Sequence, residues 1–119
     1  IMAIVGLGTD IVEVARIADF AKKPGALERI FSAEEIAYCR ARKNCFEHLA
    51  VRFAAKEAVY KALPFGEVAF KKITVHNGPD GEPRIHIDDE RCAGLRVFIS
   101  LSHTKNYAVA TAVVENARN

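Results

Sequence analysis

The sequence predicts an α+β fold in which helices pack on one face of an antiparallel sheet. Three observations support this prediction. Helical patterns with stop signals follow one opening strand in the first half of the chain, two apolar hairpins occupy the second half, and 119 residues at 50% apolar composition suffice for one core. We therefore expect a single domain over residues 2–119, and Ile1, ahead of Met2, is interpreted as a cloning remnant.

The chain begins with a predicted strand and a short helix. Residues 3–12, AIVGLGTDIV, are rich in β-branched residues, which favour extended structure. Val14, Ile17 and Phe20 then recur at helical spacing, and Pro24 ends the pattern. The opening segment therefore predicts a strand that leads directly into an amphipathic helix.

Two further helices are predicted between residues 32 and 63. Ser32 and Glu35 have the spacing of a capping box, which begins a helix that runs towards Arg42. Residues 46–63 have the pattern of the main helix, and Pro64 ends it.

The apolar period changes in the second half, which predicts two hairpins. KKITVHN at residues 71–77 and RIHID at 84–88 flank the turn GPDGEP. A helical turn over 88–95 leads to the second pair, RVFISLSH at 96–103 and YAVATAVVE at 107–115. Strands that follow one another in this way pair antiparallel.

Composition and charge exclude several classes of protein. No apolar run is long enough to span a membrane and the N-terminus lacks a secretory signal, so we expect a cytoplasmic protein. Cys39, Cys45 and Cys92 are odd in number and match no zinc spacing, which predicts reduced structural thiols.

The net charge of +2 is unevenly distributed. Residues 14–72 hold 12 Lys and Arg against 7 Asp and Glu, whereas residues 73–119 hold 5 against 6. The basic region is suited to an acidic protein, a phosphate-rich cofactor or nucleic acid. Nucleic acid is the weakest of these, because the excess is small and no stacking motif accompanies it.

The main helix carries charges in its middle, in RFAAKEAVYKAL at residues 52–63. Glu57 and Lys61 lie four residues apart on one face, with Arg52 and Lys56 beside them, so the charges form a stripe. The ordinary interpretation is an ion pair on a solvent-exposed helix surface, worth a few tenths of a kcal/mol. A functional interpretation needs partners from elsewhere in the chain.

Asp10 supplies one such partner. It interrupts the apolar segment VGLGTDIV, where an unpaired buried carboxylate would cost several kcal/mol. Asp10 is equally suited to capping the helix that begins nearby. If it instead faces Glu57, the two carboxylates suit a hard cation such as Mg²⁺, which takes one or two carboxylates and completes its coordination with water and phosphate oxygens.

His103 lies where the last hairpin turns, in SLSHTKN. An ordinary polar turn explains this segment when it is taken alone. Taken with the carboxylates, it predicts a phosphate site in which Lys61 and Arg52 bind phosphate oxygens and His103 donates a further hydrogen bond or carries a proton. Such a site favours attack on a phosphate group held by Mg²⁺.

Three blocks, GLGTDIVEVARI at 6–17, RFAAKEAVYKA at 52–62 and SLSHTKNYAVATAVVE at 100–115, resemble the holo-[acyl-carrier-protein] synthases. These are the short bacterial 4′-phosphopantetheinyl transferases. The blocks span nearly the whole chain in the family's order. The resemblance implies the α+β 4′-phosphopantetheinyl transferase fold.

The resemblance also implies an activity and a site. Asp10 and Glu57 would hold Mg²⁺ against the pyrophosphate of the substrate coenzyme A, and Lys61 would steady the phosphates as a third catalytic residue. A serine of apo-acyl carrier protein attacks the phosphate attached to pantetheine, and adenosine 3′,5′-bisphosphate leaves. In relatives the base is proposed to be a glutamate at the Glu57 position or a metal-bound water. The implied coenzyme A contacts are Arg52, Lys56, Lys61, Gly66, Ser102, His103, Thr104 and Lys43.

The family's short members are homotrimers that bind coenzyme A between neighbouring subunits. Their basic first helix docks the acidic carrier protein, which corresponds here to Arg16 and, more loosely, to Lys22 and Lys23. One departure concerns the loop after the main helix, where LPFG at 63–66 replaces the usual glycine-threonine-glycine turn.

Two alternative functions are considered beside transfer. A non-catalytic module that binds a carrier protein or nucleotide would need no metal carboxylates, so the presence of Asp10, Glu57 and Lys61 weighs against it. A small metal-dependent phosphohydrolase would use the same residues with water as the nucleophile.

Overall fold

The computed structural model describes residues 3–116. Met2 and residues 117–119 of the expected domain, and Ile1, lie outside this range. The described elements are β1 (Ala3–Glu13), α1 (Val14–Ala21), α2 (Ala33–Arg40), α3 (Cys45–Ala62), β2 (Ile73–Asn77), β3 (Pro83–Ile87), β4 (Leu95–His103) and β5 (Tyr107–Asn116). Single 3₁₀ turns occur at Leu27–Arg29, Phe70–Lys72 and Glu90–Cys92.

The predicted α+β fold is confirmed. β1, β5 and β4 form an antiparallel three-stranded sheet in that order, and β2 pairs with β3 in a second antiparallel sheet. The predicted capping box is also present, since the Ser32 hydroxyl accepts from the Glu35 N–H at 3.2 Å and the Glu35 carboxylate accepts from the Ser32 N–H at 3.0 Å. Because β1 pairs with β5, the first and last described strands are neighbours in the three-stranded sheet.

Two glycines of β1 bring this strand into direct contact with α3. A Cβ atom on Gly6 would overlap with the carbonyl oxygen of Ala62, and one on Gly8 would overlap with that of Ala58. Because the helix presents alanines there, backbone can pack against backbone. This close approach sets the distance between Asp10, two residues after Gly8, and the C-terminal half of α3.

Lys56 is fully buried, so the charged residues of α3 do not form one exposed stripe as predicted. Its Nζ lies 2.8 Å from the Glu35 carboxylate, donates to the Phe70 carbonyl oxygen at 3.0 Å, and also contacts that of Ile73. The other Glu35 oxygen accepts from the Val75 N–H at 3.0 Å. Burial lowers the pKa of Lys56, and the charge of Glu35 opposes that shift. The pair thus connects α2 and α3 to β2.

The face of the three-stranded sheet that α3 leaves uncovered is apolar. Leu7 is 68% exposed and Ile11 65% exposed, although both are large aliphatic residues. Exposed apolar side chains of all three strands share this face: Ile4, Leu7, Ile11, Phe98, Tyr107 and Val109. A cross-strand row of hydroxyl residues lies between them, but large exposed apolar side chains gathered on one face usually mark an interaction site.

Within residues 3–116, no helix has the length and apolar character needed to cross a membrane. The three cysteines, Cys39, Cys45 and Cys92, are free, which agrees with the predicted thiols.

Candidate active site

Asp10 and Lys61 meet where β1 passes the last turns of α3. The Lys61 ammonium lies 3.2 Å from the Asp10 carboxylate and donates to the Thr9 carbonyl oxygen at 3.1 Å. The Asp10 side chain is 16% exposed and that of Lys61 is 51% exposed. The capping alternative for Asp10 is wrong, because Asp10 lies within β1 and Glu13 occupies the N-cap of α1.

Glu57 is the second acid of this cluster. Burial raises the pKa of its carboxyl group, the negative charge of Asp10 raises it further, and Lys61 partly opposes both effects. Glu57 is half-buried and makes no hydrogen bond to another described residue. Two acids therefore share one ammonium group. We call Asp10, Glu57 and Lys61 the carboxylate cluster.

The donor set of the carboxylate cluster fits Mg²⁺. Among residues 3–116 there is no group of three or more His, Cys, Asp or Glu that could hold a metal. Mg²⁺ needs only one or two protein carboxylates, because water and phosphate oxygens fill its other positions. The unfavourable proximity of Asp10 to Glu57 is what a bound dication would relieve.

A second polar site, the arginine–histidine pocket, lies around the first half of α3. It is an open cavity of about 340 Å³ whose lining includes Tyr38, His48, Arg52, Asn77 and His103. Arg52 is 5% exposed and its Nη2 donates to the Asn77 side chain at 2.8 Å, but its buried Nε lacks a partner among the described residues. An unsatisfied buried donor is costly, so an anionic oxygen would be favoured here.

His103 is held at the edge of this pocket by α3. Its Nδ1 lies 2.9 Å from a Glu47 carboxylate oxygen, and its ring is 5.5 Å from the ring of His48. The pKa of His48 is lowered by burial and by the neighbouring His103, Arg42 and Arg52. His48 is therefore neutral at physiological pH, and it contributes a ring to the pocket rather than a charge.

The carboxylate cluster and the pocket lie on opposite sides of α3. Glu57 follows His48 by nine residues, about 2.5 helical turns, which places the two on opposite faces. Asp10 is on β1 and His103 is on β4, with β5 between them. Two strand spacings amount to about 10 Å of sheet.

The structure brings some predicted coenzyme A contacts together and not others. Arg52 and His103 share the pocket. The prediction for Lys56 is wrong, because its ammonium is enclosed in the core and paired with Glu35.

The remaining predicted contacts of this group lie apart from the pocket. Ser102 lies on the opposite sheet face from His103, since neighbouring strand residues alternate. The Thr104 hydroxyl accepts from the Tyr107 N–H at 3.1 Å and so stabilises the turn. Lys43 is exposed just before α3.

The loop after α3 differs from the glycine-based turn that the resemblance implies. Gly66 has space for a Cβ, whose nearest atom would be the Tyr60 hydroxyl at 3.5 Å. The left-handed conformation instead falls on Glu67, with φ of 64°. The guanidinium of Arg91 stacks 4.2 Å from the Phe65 ring centre. Side chains thus hold this loop, and nothing in the backbone requires glycine at Gly66.

The predicted docking residues are all exposed. Arg16 lies on α1, and Lys22 and Lys23 follow its end. Lys22 pairs with Asp19 at 3.2 Å. These side chains are accessible to an acidic partner.

Sequence reasoning missed His48, Tyr38 and Asn77 as members of the pocket, and Glu47 as the partner of His103. The contact between Glu47 and His103 joins residues 56 apart. No local spacing reveals such a pair. The acidic residue in the first turn of α3 reads as a helix-stabilising charge and hides its second role.

The sequence of this chain is similar to those of proteins whose family is known. The model of the family described as the 4′-phosphopantetheinyl transferase superfamily matches residues 6–112. A holo-[acyl-carrier-protein] synthase of Thermodesulfovibrio yellowstonii is 45% identical over 92% of this chain and 96% of its own length. One of Shewanella frigidimarina is 42% identical over 97% of this chain and 100% of its own.

Solved structures of holo-(acyl-carrier-protein) synthases are also similar to this structure. The holo-(acyl-carrier-protein) synthase of Bacillus anthracis, in complex with CoA (3′,5′-ADP), superimposes with a TM-score of 0.84 at 37% identity, over 98% of this chain and 99% of that one. The Helicobacter pylori protein in complex with coenzyme A has a TM-score of 0.80 at 34% identity, over 91% and 98%.

Proposed function

The chain belongs to the 4′-phosphopantetheinyl transferase superfamily, and from this premise we propose that it is a holo-[acyl-carrier-protein] synthase. It transfers 4′-phosphopantetheine from coenzyme A to a serine of an apo-acyl carrier protein. The serine oxygen bonds to the phosphorus attached to pantetheine, the bond from that phosphorus to the bridging oxygen breaks, and adenosine 3′,5′-bisphosphate leaves. A single domain over residues 2–119 carries this activity in the cytoplasm.

The observation that carries this proposal is the proximity of Asp10, Glu57 and Lys61. Asp10 and Glu57 would hold Mg²⁺, which neutralises pyrophosphate charge when bound. The half-exposed Lys61 ammonium is available to a phosphate oxygen. Glu57 also has the raised pKa expected of a group that accepts a proton, which supports it as the base for the serine hydroxyl.

The pocket supports a second contact with the substrate. Coenzyme A has several phosphate groups, and the Nε of Arg52, which has no partner within residues 3–116, suits one of them beside His103. Because the pocket and the carboxylate cluster lie on opposite sides of α3, one copy of the chain would bind different parts of the substrate on each side.

We therefore include a homotrimer with shared sites in the proposal. The exposed apolar face of the three-stranded sheet supports it, because Leu7, Ile11 and Phe98 would be covered by neighbouring copies. Assembly would bring the pocket of one copy towards the carboxylate cluster of the next.

Mass spectrometry of the carrier protein tests the transfer directly. When the protein is mixed with apo-acyl carrier protein, coenzyme A and Mg²⁺, we expect the carrier to gain one phosphopantetheine. A chelator should abolish the gain, and added Mg²⁺ should restore it. Coenzyme A binding without any gain would favour a binding module. Coenzyme A breakdown without carrier protein would favour a phosphohydrolase.

Charge reversal on α1 tests the docking surface. We expect Arg16→Glu to weaken carrier-protein binding about tenfold or more, since like charges at an interface cost several kcal/mol, while coenzyme A affinity stays near wild type. Arg84→Glu, the same reversal on β3, is the matched control. Calorimetry with each ligand measures both effects, and equal losses for the two ligands would count against this surface.

A further inference from the structure

Glu47 contacts His103 in a way that requires a hydrogen on Nδ1 of the imidazole. Its carboxylate lies 2.9 Å from Nδ1. An ionised carboxylate only accepts hydrogen bonds, so Nδ1–H must be the donor. Nε2 is then the ring nitrogen left for a ligand, and it donates to a phosphate oxygen only in the protonated ring, in which both nitrogens carry a hydrogen. His103 lines the pocket.

Helix stabilisation alone does not account for Glu47. An acid in the first turn of α3 is favourable, and in the described part of the chain the N-cap residue Asn44 makes no side-chain capping bond. If Glu47 served only the helix end, its carboxylate could accept from the free N–H groups there. Among the described residues its hydrogen bond instead goes to a side chain on β4.

One N–H of the arginine in this pocket lacks an acceptor among the described residues. The buried Nε of Arg52 has no partner among the described residues, and Nη2 is bound to Asn77. Burial and the neighbouring His103, Arg42 and Arg52 lower the pKa of His48, and Glu47 only partly opposes this, so the charged form of that ring is disfavoured. An anionic oxygen that entered here would meet the guanidinium N–H at Nε of Arg52 and, when the ring is protonated, the Nε2–H of His103.

We propose that Glu47 is a positioning residue: its carboxylate holds the His103 ring through Nδ1–H, so that the Nε2–H of the protonated ring is presented, beside Arg52, to a phosphate oxygen of coenzyme A. The inference rests on the proposed function, since that function supplies the phosphate. Glu47 itself touches no substrate and acts only through His103.

A double-mutant cycle tests this role by calorimetric titration of coenzyme A into the full-length protein. We expect Glu47→Ala to weaken binding about tenfold, the typical effect of losing a hydrogen bond to a charged group. In a His103→Ala background, the same change should weaken binding by less than about twofold, because its only route of action is gone. Transfer kinetics should show a raised KM for coenzyme A and a kcat within about twofold of wild type.

Two further variants separate positioning from charge. Glu47→Gln keeps an oxygen that accepts from Nδ1–H, so its affinity should remain within about threefold of wild type. Glu90→Gln removes the same charge from an exposed site elsewhere and should leave the affinity for coenzyme A unchanged. Circular dichroism of each variant verifies that α3 remains folded.

The possible failures are distinguishable. Wild-type affinity in Glu47→Ala, equal losses in both backgrounds, or a Gln variant as weak as the Ala variant would each overturn the positioning role while phosphopantetheine transfer stands. If the unmodified protein binds no coenzyme A, the proposed function fails, and this inference fails with it.

Discussion

Glu57→Gln is expected to lower phosphopantetheine transfer by at least about 10²-fold without weakening the fold, since a positioned acid–base group contributes about 10²–10⁴-fold. The amide cannot accept the serine proton and is a poorer ligand for Mg²⁺ than a carboxylate. Mass spectrometry of the carrier protein under single-turnover conditions measures the loss.

The melting temperature of Glu57→Gln should not fall, although its transfer rate does. The pKa of Glu57 is raised in the folded chain, so the ionised carboxyl is disfavoured there at neutral pH. A neutral amide removes that penalty, and the melting temperature should be equal to or above that of the wild type. Near-normal turnover would remove Glu57 from its assigned role. A lower melting temperature would contradict the account of its surroundings.

Lys56→Met is expected to give the largest loss of stability among these variants. It leaves the Glu35 carboxylate buried without its cation, a change that typically costs about 3–5 kcal/mol. A domain of this size is stable by only about 5–15 kcal/mol in total. Urea unfolding followed by circular dichroism should therefore show a much lower midpoint. Transfer per folded molecule should persist, because Lys56 lies in the core.

Lys61→Met is the matched control on the same helix. Lys61 pairs with Asp10 at 3.2 Å, but its side chain is 51% exposed, and exposed pairs contribute about 0–1 kcal/mol. This variant should lower the urea midpoint much less than Lys56→Met, even though Asp10 and Glu57 lose their shared ammonium, and it should lose transfer activity. Similar midpoints for the two variants would contradict the assignment of Lys56 to the core.

Local patterns were sufficient to predict most elements of the fold. The capping box of Ser32 and Glu35 forms as predicted, because it depends only on residues three apart. The main helix, predicted at 46–63, occupies Cys45–Ala62, and the last hairpin, predicted at 96–103 and 107–115, occupies Leu95–His103 and Tyr107–Asn116. Periodicity and stop signals are properties of short segments, so the ends of these elements differ from the predicted ones by one residue at most.

The stripe of charges on α3 shows where local reasoning ends. Helical spacing places Lys56 and Glu57 side by side, but does not distinguish the core side from the solvent side. Glu35 of α2 receives the Lys56 ammonium, while Asp10 of β1 approaches Glu57. A residue of the same type, Lys61, stays half-exposed five positions later. Burial depends on which elements pack against each face of the helix.

By itself, the sequence determined the elements, the α+β class and the pairing of Asp10 and Glu57 as candidate metal ligands, because each rests on residue type, short spacing or a motif that identifies a family. Only the tertiary structure decided that Lys56 is a core residue, that Ser102 and His103 face opposite sides of the sheet, and that Glu47 lies within hydrogen-bond distance of His103. The physical reason is that desolvation and hydrogen bonding depend on distances between atoms that are remote in sequence, and chain packing alone sets those distances.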